Sequence, residues 1–379
     1  MIFRPSLAID RVRLASLRPT GATPQPGTIS LAMGEPDFDT PPVIVEAAAR
    51  AMRQGYTRYG DLNGDPELRE HIAADATRMS GSSYTEASVL VTHGGAAAIT
   101  ASILAVVDPG DRVVIPEPTY SLYPDAVRLA GGQPVLVPTT SDHHLDLEAL
   151  GRVLPGARMV VFCNPVNPTG AVFSSAELTG LAALLEGSDT LVLADEAYAD
   201  IVYDELPFIS TLAIPGLRDR LIFCQTLSKT FAMTGWRIGY VVGPDDVVLS
   251  IRQVHRTMNS AVNAAVQRAA ITALEAGPAL VADMLQAYQM RRDFTLKRLA
   301  GMDGLDAHQP EGAFYAFARY RAALTSEELA RRLLAGGVSV RAGSEFGPSG
   351  QGHIRLSFAA DIDTLDEGLR RIESTLESI

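Results

Sequence analysis

The sequence predicts an α/β protein with two packed bodies: a large domain around a mostly parallel sheet and a smaller α+β domain. The chain has 379 residues, more than one ordinary domain, and 47% of them are hydrophobic, enough to bury sizeable cores. Between about residues 86 and 245, short β-branched runs alternate with helix-length segments. After Gly243-Pro244 the pattern changes to long helices and a few strands.

Seven apolar runs in the first of these regions show little internal alternation between apolar and polar residues. Such runs, separated by helices, are typical of a parallel sheet covered on both faces. The sequence therefore predicts a seven-stranded, mostly parallel sheet flanked by helices. The predicted strands are residues 88–92, 112–115, 133–137, 159–163, 191–194, 221–224 and 239–242.

The C-terminal part of the chain predicts helices over residues 246–258, 264–299, 326–335 and 362–378, and strands over residues 313–318, 338–341 and 354–358. The first 44 residues are rich in proline and glycine and are expected to form an arm that crosses to the small domain. We therefore expect an arm with part of the small domain at 1–44, a large domain at 45–278 and a small C-terminal domain at 279–379.

Charge and composition exclude several classes of protein. The chain has 32 basic and 44 acidic residues, a net charge of −12, which argues against a nucleic-acid partner. No secretory signal and no apolar run of membrane-spanning length is visible, so a cytoplasmic protein is expected. Cys163 and Cys224 lie in or beside apolar runs and are interpreted as buried reduced thiols, and no metal site is predicted.

The pair Ser228-Lys229 lies in a run of hydroxyl and apolar residues, with Arg237 eight positions after the lysine. A lysine amine is mostly ammonium near neutral pH and is then a poor nucleophile. A nearby cation and apolar surroundings favour loss of the proton, as imine formation requires. Taken alone, the pair also fits a solvated lysine on a loop.

Three further motifs follow predicted strands, at the edge of the sheet where ligands collect. Gly94-Gly95 opens a helix, whose N-terminus attracts anions. Asp195 ends a buried run and needs a cationic partner, such as a protonated pyridine nitrogen. Asn167 lies in a segment with two Asn-Pro pairs that keep the backbone extended, and its amide can donate to a phenolate oxygen. Each motif alone also fits a turn or a helix cap.

Together these motifs give the chain a family resemblance over nearly its whole length. It resembles the fold-type I, pyridoxal-phosphate-dependent class I/II aminotransferases. The motifs that carry the resemblance are, in order, Gly34-Glu-Pro-Asp-Phe38, Tyr56-Thr-Arg-Tyr59-Gly60, Glu67-Leu-Arg69, Pro109-Gly-Asp111, Pro116-Glu-Pro-Thr-Tyr120, Asn164-Pro-Val-Asn-Pro-Thr-Gly170, Asp195-Glu-Ala-Tyr198, the Lys229 run, Pro310-Glu-Gly-Ala-Phe-Tyr315 and Ile354-Arg-Leu-Ser-Phe358.

The resemblance implies catalytic roles for Lys229, Asp195 and Tyr198. Lys229 would hold pyridoxal 5'-phosphate as an internal aldimine and move a proton during the reaction. Asp195 would keep the pyridine nitrogen protonated, so that the ring can accept electrons. Tyr198 and Asn167 would bind the 3'-oxygen of the ring, and Tyr120 would stack on its face.

The resemblance also implies how the phosphate and the substrate are held. The phosphate would lie among Thr226, Ser228, Arg237 and the helix start, and Tyr59 would reach it from the other subunit of a homodimer. Arg355 would grip the α-carboxylate of the substrate, because its planar fork fits a carboxylate. The complete expected set is Gly94, Gly95, Ala96, Tyr120, Asn167, Asp195, Tyr198, Thr226, Ser228, Lys229, Arg237 and Tyr59 for the cofactor, and Arg355, Gly34 and Asn167 for the substrate.

The implied activity is a ping-pong transfer of an amino group between an L-amino acid and a 2-oxo acid. The same cofactor residues also serve β-elimination, decarboxylation, cyclisation or oxidation, which form the alternative. A ligand-sensing domain of a transcription regulator is disfavoured by the acidic charge. Position 96 is alanine, whereas some acid-specific relatives carry a lysine there, so the side chain of the substrate is not predicted.

Overall fold

The computed structural model describes residues 3–17 and 25–379. The strands are β1 Ile29–Ser30, β2 Val89–Thr92, β3 Arg112–Glu117, β4 Gln133–Pro138, β5 Met159–Cys163, β6 Leu191–Asp195, β7 Leu221–Thr226, β8 Gly239–Val242, β9 Leu305–Ala307, β10 Tyr315–Tyr320, β11 Val338–Ser339, β12 Arg341–Ala342 and β13 His353–Ser357. The helices are α1 Leu7–Ala15, α2 Pro42–Arg53, α3 Pro66–Ser80, α4 Gly95–Val106, α5 Leu122–Ala130, α6 Leu147–Val153, α7 Ser175–Leu184, α8 Leu227–Thr230, α9 Asp245–Asn259, α10 Ala264–Ala276, α11 Ala282–Ala300, α12 Ser326–Ala335 and α13 Ile362–Glu377.

The large sheet has seven strands in the order β2-β8-β7-β6-β5-β3-β4. Six strands run in one direction, and β8 is antiparallel to both of its neighbours. Every residue of β2, β5 and β8 is buried, as expected for a sheet covered on both faces. The predicted fold class is confirmed, and each of the seven predicted strands is present with a shift of no more than two residues at either end.

A smaller antiparallel sheet has the order β12-β13-β10-β9, and β1 pairs in parallel with β11. The single strand predicted over residues 338–341 is therefore wrong. Its first half joins the N-terminal segment, whereas Arg341 begins a strand that pairs with β13. One hydrophobic run contributes to two sheets because Val340 separates two different pairing partners. The pattern of apolar residues alone does not show where one strand ends and the next begins.

Two other expectations need correction. The long helix predicted over 264–299 is broken, because α10 ends at Ala276 and Gly277 adopts a φ of 68°, followed by Pro278, which has no N–H to continue the helix. The strand predicted over 313–318 begins two residues later, at Tyr315, since Ala313 has a φ of 56°. Helix α1 and strand β9 were not predicted.

The arrangement of the large sheet determines where polar chemistry is possible. The buried strands leave only the ends of the sheet for polar groups, and the loops that follow β5, β6 and β7 reach the same edge. This edge is the crevice in which ligands bind in open parallel sheets. None of the helices in the described ranges is long and apolar enough to span a bilayer.

Candidate active site

A cavity of about 500 Å³ lies at the carboxyl edge of the large sheet and extends to the small sheet. It brings together most of the residues selected from the sequence. Gly94 lies just behind the cavity wall, and Tyr59 lies elsewhere, with 92% of its surface exposed. The selected residues that line the cavity are Gly34, Gly95, Ala96, Tyr120, Asn167, Asp195, Tyr198, Thr226, Ser228, Lys229, Arg237 and Arg355.

Lys229 reaches the cavity from α8, the short helix that directly follows β7. Its Nζ donates a hydrogen bond of 2.5 Å to the carbonyl oxygen of Gly34. The pKa of Lys229 is lowered from 10.5 to about 8, mainly by burial and to a smaller extent by the cations Arg355 and Arg237, whereas the carboxylate of Glu35 opposes the shift. The expected loss of a proton therefore has burial as its main cause, ahead of the neighbouring arginine seen in the sequence.

Asp195 ends β6 between β5 and β7, directly opposite Cys163 and Cys224. Both cysteines are free and buried, as predicted. The carboxylate accepts hydrogen bonds from the hydroxyl of Tyr123 at 2.7 Å and from the backbone N–H of Ala197 at 3.2 Å. Burial raises the pKa of Asp195, and these two donors only partly offset it. A cationic ligand group beside Asp195 would relieve the cost of its buried charge.

An anion-binding corner forms where α4 begins. The N-cap residue Gly94 makes no side-chain cap, so the first N–H groups of α4, whose residues Gly95 and Ala96 line the cavity, remain available to a ligand. Thr226 Oγ1 lies 2.9 Å from Ser228 Oγ, and both hydroxyls line the same wall. A Cβ at Gly94 would lie 2.6 Å from Arg237 Nη2, and its φ of 80° also favours glycine. The guanidinium therefore lies directly over the helix start.

Arg355 is a buried guanidinium without a carboxylate partner among the described residues. It donates to Asn167 Oδ1 at 2.9 Å and to the carbonyl of Ala32 at 2.6 Å, whereas its Nε has no partner within the described chain. Its charge lies 4.2 Å from the ring centre of Tyr315 and 4.9 Å from that of Phe346. A buried, incompletely bonded guanidinium is suited to a carboxylate ligand.

The side of the cavity near Arg355 contains two phenols and an amide. The hydroxyls of Tyr198 and Tyr315 are 2.7 Å apart. Since a guanidinium can only donate, Asn167 turns its oxygen towards Arg355, which leaves its NH₂ group as a donor. A Cβ on Gly34 would lie 2.0 Å from the Tyr315 hydroxyl, so this position requires glycine.

Several lining residues were given no role from the sequence, notably Tyr123, Tyr315, Arg341 and Phe346. Tyr315 lies in a motif that carries the family resemblance, and this motif was the one signal in the sequence that could have identified it. Tyr123 follows Tyr120 within one helical turn, but nothing in the sequence indicates its bond to Asp195. Arg341 and Phe346 reach the cavity only through the pairing of β12 with β13 and the turn that follows.

Known proteins resemble the chain over most of its length. A family model described as aminotransferase class I and II matches residues 26–372. The putative aminotransferase YugH of Bacillus subtilis (strain 168) is 39% identical over 358 residues, 92% of this chain and 92% of YugH. An aspartate aminotransferase of Streptomyces avermitilis is 36% identical over 387 residues, 98% of this chain and 93% of that protein. The crystal structure of an aromatic aminotransferase from Pyrococcus horikoshii OT3 matches with a TM-score of 0.91 and 35% identity, covering 98% of this chain and 99% of that one.

The lowered pKa of Lys229 leads to a direct chemical test. The chain has two lysines, and Lys297, exposed on α11, is an internal reference. Trace acetylation of the cofactor-free protein at a series of pH values, quantified by mass spectrometry, should show a Lys229 reactivity that rises with a midpoint near pH 8. Only the neutral amine reacts, so this midpoint reports the pKa. A midpoint near the ordinary lysine value of about 10.4 would contradict the effect of burial.

Proposed function

Because the chain belongs to the class I and II aminotransferases, a family that uses pyridoxal phosphate, we propose that it binds this cofactor through Lys229 and moves an amino group between an L-amino acid and a 2-oxo acid. The observation that carries the proposal is that the Lys229 amine, with its pKa lowered to about 8, lies in one cavity with the buried acid Asp195 and with Arg355, which forms no ion pair with a carboxylate of residues 3–17 and 25–379.

The residues present fit pyridoxal phosphate. The corner of Gly94, Thr226, Ser228 and Arg237 offers backbone donors, hydroxyls and a cation for a phosphate. Burial raises the pKa of Asp195, which favours a cationic group such as a protonated ring nitrogen next to it. Tyr120 and Ala197 also line the cavity and offer surfaces against which a flat ring would pack.

Each side chain has a distinct part in the proposed reaction. The bound cofactor supplies a reactive carbonyl and a ring that accepts electrons from the α-carbon of the substrate. Lys229 can both take and return a proton near neutral pH, because its pKa of about 8 is close to the operating pH. Asp195 would keep a proton on a ring nitrogen bound beside it. Arg355 orients the substrate by its α-carboxylate, and Tyr198 and Asn167 provide hydrogen bonds beside it.

We also propose that the working form is a homodimer with a composite site. Tyr59 is 92% exposed and does not line the cavity of its own chain, although it belongs to a motif of the family resemblance. Its exposure supports a role towards the phosphate of the other subunit. Arg237 is also an exposed residue next to the phosphate corner, which leaves room for a partner residue there.

Amino transfer is favoured over the alternative reactions of the same cofactor. The three similar proteins described above are all named aminotransferases, and none is named for elimination, decarboxylation, cyclisation or oxidation. Their names differ in the donor, since one is an aspartate and another an aromatic aminotransferase. Overall similarity therefore supports amino transfer as the reaction type. It does not identify the side chain of the substrate, which depends on the residues that line the cavity.

Replacement of the central lysine tests the proposed function. The wild-type protein loaded with pyridoxal phosphate should show a change in cofactor absorbance with at least one amino acid from a panel of twenty. Lys229→Ala should lower the rate of this change by about 10²- to 10⁴-fold or more, the usual size of an acid–base contribution. Lys297→Ala is the matched control and should react like the wild type. Undiminished turnover in Lys229→Ala would overturn the assignment.

Arg355→Lys tests the grip on the α-carboxylate. The variant keeps the charge but loses the planar fork, so KM for the amino donor should rise about 10- to 100-fold, as expected for the loss of a hydrogen bond between charged groups. Steady-state kinetics with the best donor of the panel provides the measurement. Arg319→Lys, on the exposed face of neighbouring β10, should leave KM unchanged. Equal KM values in both variants would exclude this role of Arg355.

The composite site can be tested at Tyr59. Sedimentation should show a dimer, and Tyr59→Phe should weaken the binding of pyridoxal phosphate about 10-fold or more, because one hydrogen bond to a charged phosphate is lost. Tyr56→Phe, in the same segment, is the control and should keep the wild-type affinity. A monomer that binds the cofactor equally well with and without the Tyr59 hydroxyl would refute the proposal.

A further inference from the structure

The charges that line the cavity are unbalanced. Its lining includes four cationic side chains against one carboxylate, that of Asp195, in the part of the chain that the structure describes. Under the proposed function, Lys229 contacts the cofactor, Arg237 the phosphate and Arg355 the α-carboxylate of the substrate. Arg341 is then left without a ligand. Glu345, which does not line the cavity, forms an ion pair with Arg341, but the lining itself keeps a surplus of positive charge. Since such a surplus is costly in an enclosed site, it points to a further anionic group on the ligand.

Strand pairing brings Arg341 next to the arginine proposed to bind the α-carboxylate. Arg341 in β12 is the direct cross-strand partner of Arg355 in β13. Side chains directly opposite each other in an antiparallel pair project from the same face, with Cβ atoms about 4.5–5.5 Å apart. Like charges in such a pair are destabilising. The two guanidiniums therefore need anions close to each other.

Glu345 forms an ion pair with only one of these two arginines. It forms an ion pair with Nη2 of Arg341, and its Oε1 accepts the backbone N–H of Ala342 at 3.2 Å. The Glu345 side chain is 9% exposed and does not line the cavity, whereas that of Arg341 is 32% exposed and does. A guanidinium has five N–H donors, so one edge can contact Glu345 while the others remain available to a ligand.

We propose that Arg341 binds the distal carboxylate of the substrate, so that this aminotransferase acts on dicarboxylic amino acids and the matching dicarboxylic 2-oxo acids. This inference rests on the proposed function. The two arginines occupy directly opposite positions on neighbouring strands. This spacing fits a substrate whose two carboxylates are separated by a short carbon chain, as in aspartate or glutamate. Ala96, which lines the wall at the start of α4, offers no charge for this purpose.

The test compares acidic donors with their neutral isosteres. In the wild type, kcat/KM for aspartate or glutamate should exceed that for asparagine or glutamine. Arg341→Gln should lower kcat/KM for the acidic donor about 10- to 100-fold, the range for a lost hydrogen bond between charged groups, and should change the value for the amide less than threefold. Arg341→Lys keeps the charge and should recover part of the difference. Arg321→Gln, exposed on the same domain, is the matched control.

A binding measurement separates this inference from the proposed function. Glutarate, which cannot react, should protect the cofactor-loaded wild type against thermal unfolding more than valerate does, and Arg341→Gln should remove that advantage. If no amino acid changes the cofactor absorbance of the wild type, the proposed function fails. If donors react but Arg341→Gln affects acidic and neutral donors equally, only the role of Arg341 fails. A wild type that prefers neutral donors would also overturn it.

Discussion

Burial of the inner strands of the large sheet is the constraint on which the site depends. With both faces covered by helices, polar chemistry is confined to the edge where the parallel strands end. Asp195 occupies the last position of a buried strand, and Lys229 lies a few residues beyond the end of the next one. The same packing that stabilises the sheet therefore removes water from the groups that carry the chemistry, and this removal shifts their pKa values.

The electrostatics of the cavity follow from this enclosure. Burial raises the pKa of Asp195 and lowers that of Lys229, so each group is unstable in its charged form unless a ligand completes its surroundings. Arg355 has the same property, since two neutral acceptors and two aromatic rings surround its charge, and no carboxylate of the described residues forms an ion pair with it. The protein thus holds a preorganised set of charges whose counterparts are those of a cofactor and an amino-acid substrate.

Much of the fold could be predicted from the sequence, because apolar runs and Gly or Pro breaks are local signals. All seven strands of the large sheet and the α/β class are confirmed. The failures have one local and one non-local origin. The break at Gly277-Pro278 was overlooked, and the run around Val340 was assigned to one strand although it contributes to two sheets. The predicted site residues meet in one cavity, except Tyr59 and Gly94, and their individual roles stay predictions.

Residue types and their order were sufficient to identify the family, the chemical type of the reactive lysine and the edge of the sheet where it lies. Those properties depend on short motifs that each follow a strand. Only the tertiary structure decided that burial is the main cause of the pKa shift of Lys229, which phenol donates to Asp195, and that Arg341 lies opposite Arg355. These relations depend on distances between residues far apart in the chain, and a linear sequence does not state which strands will pair.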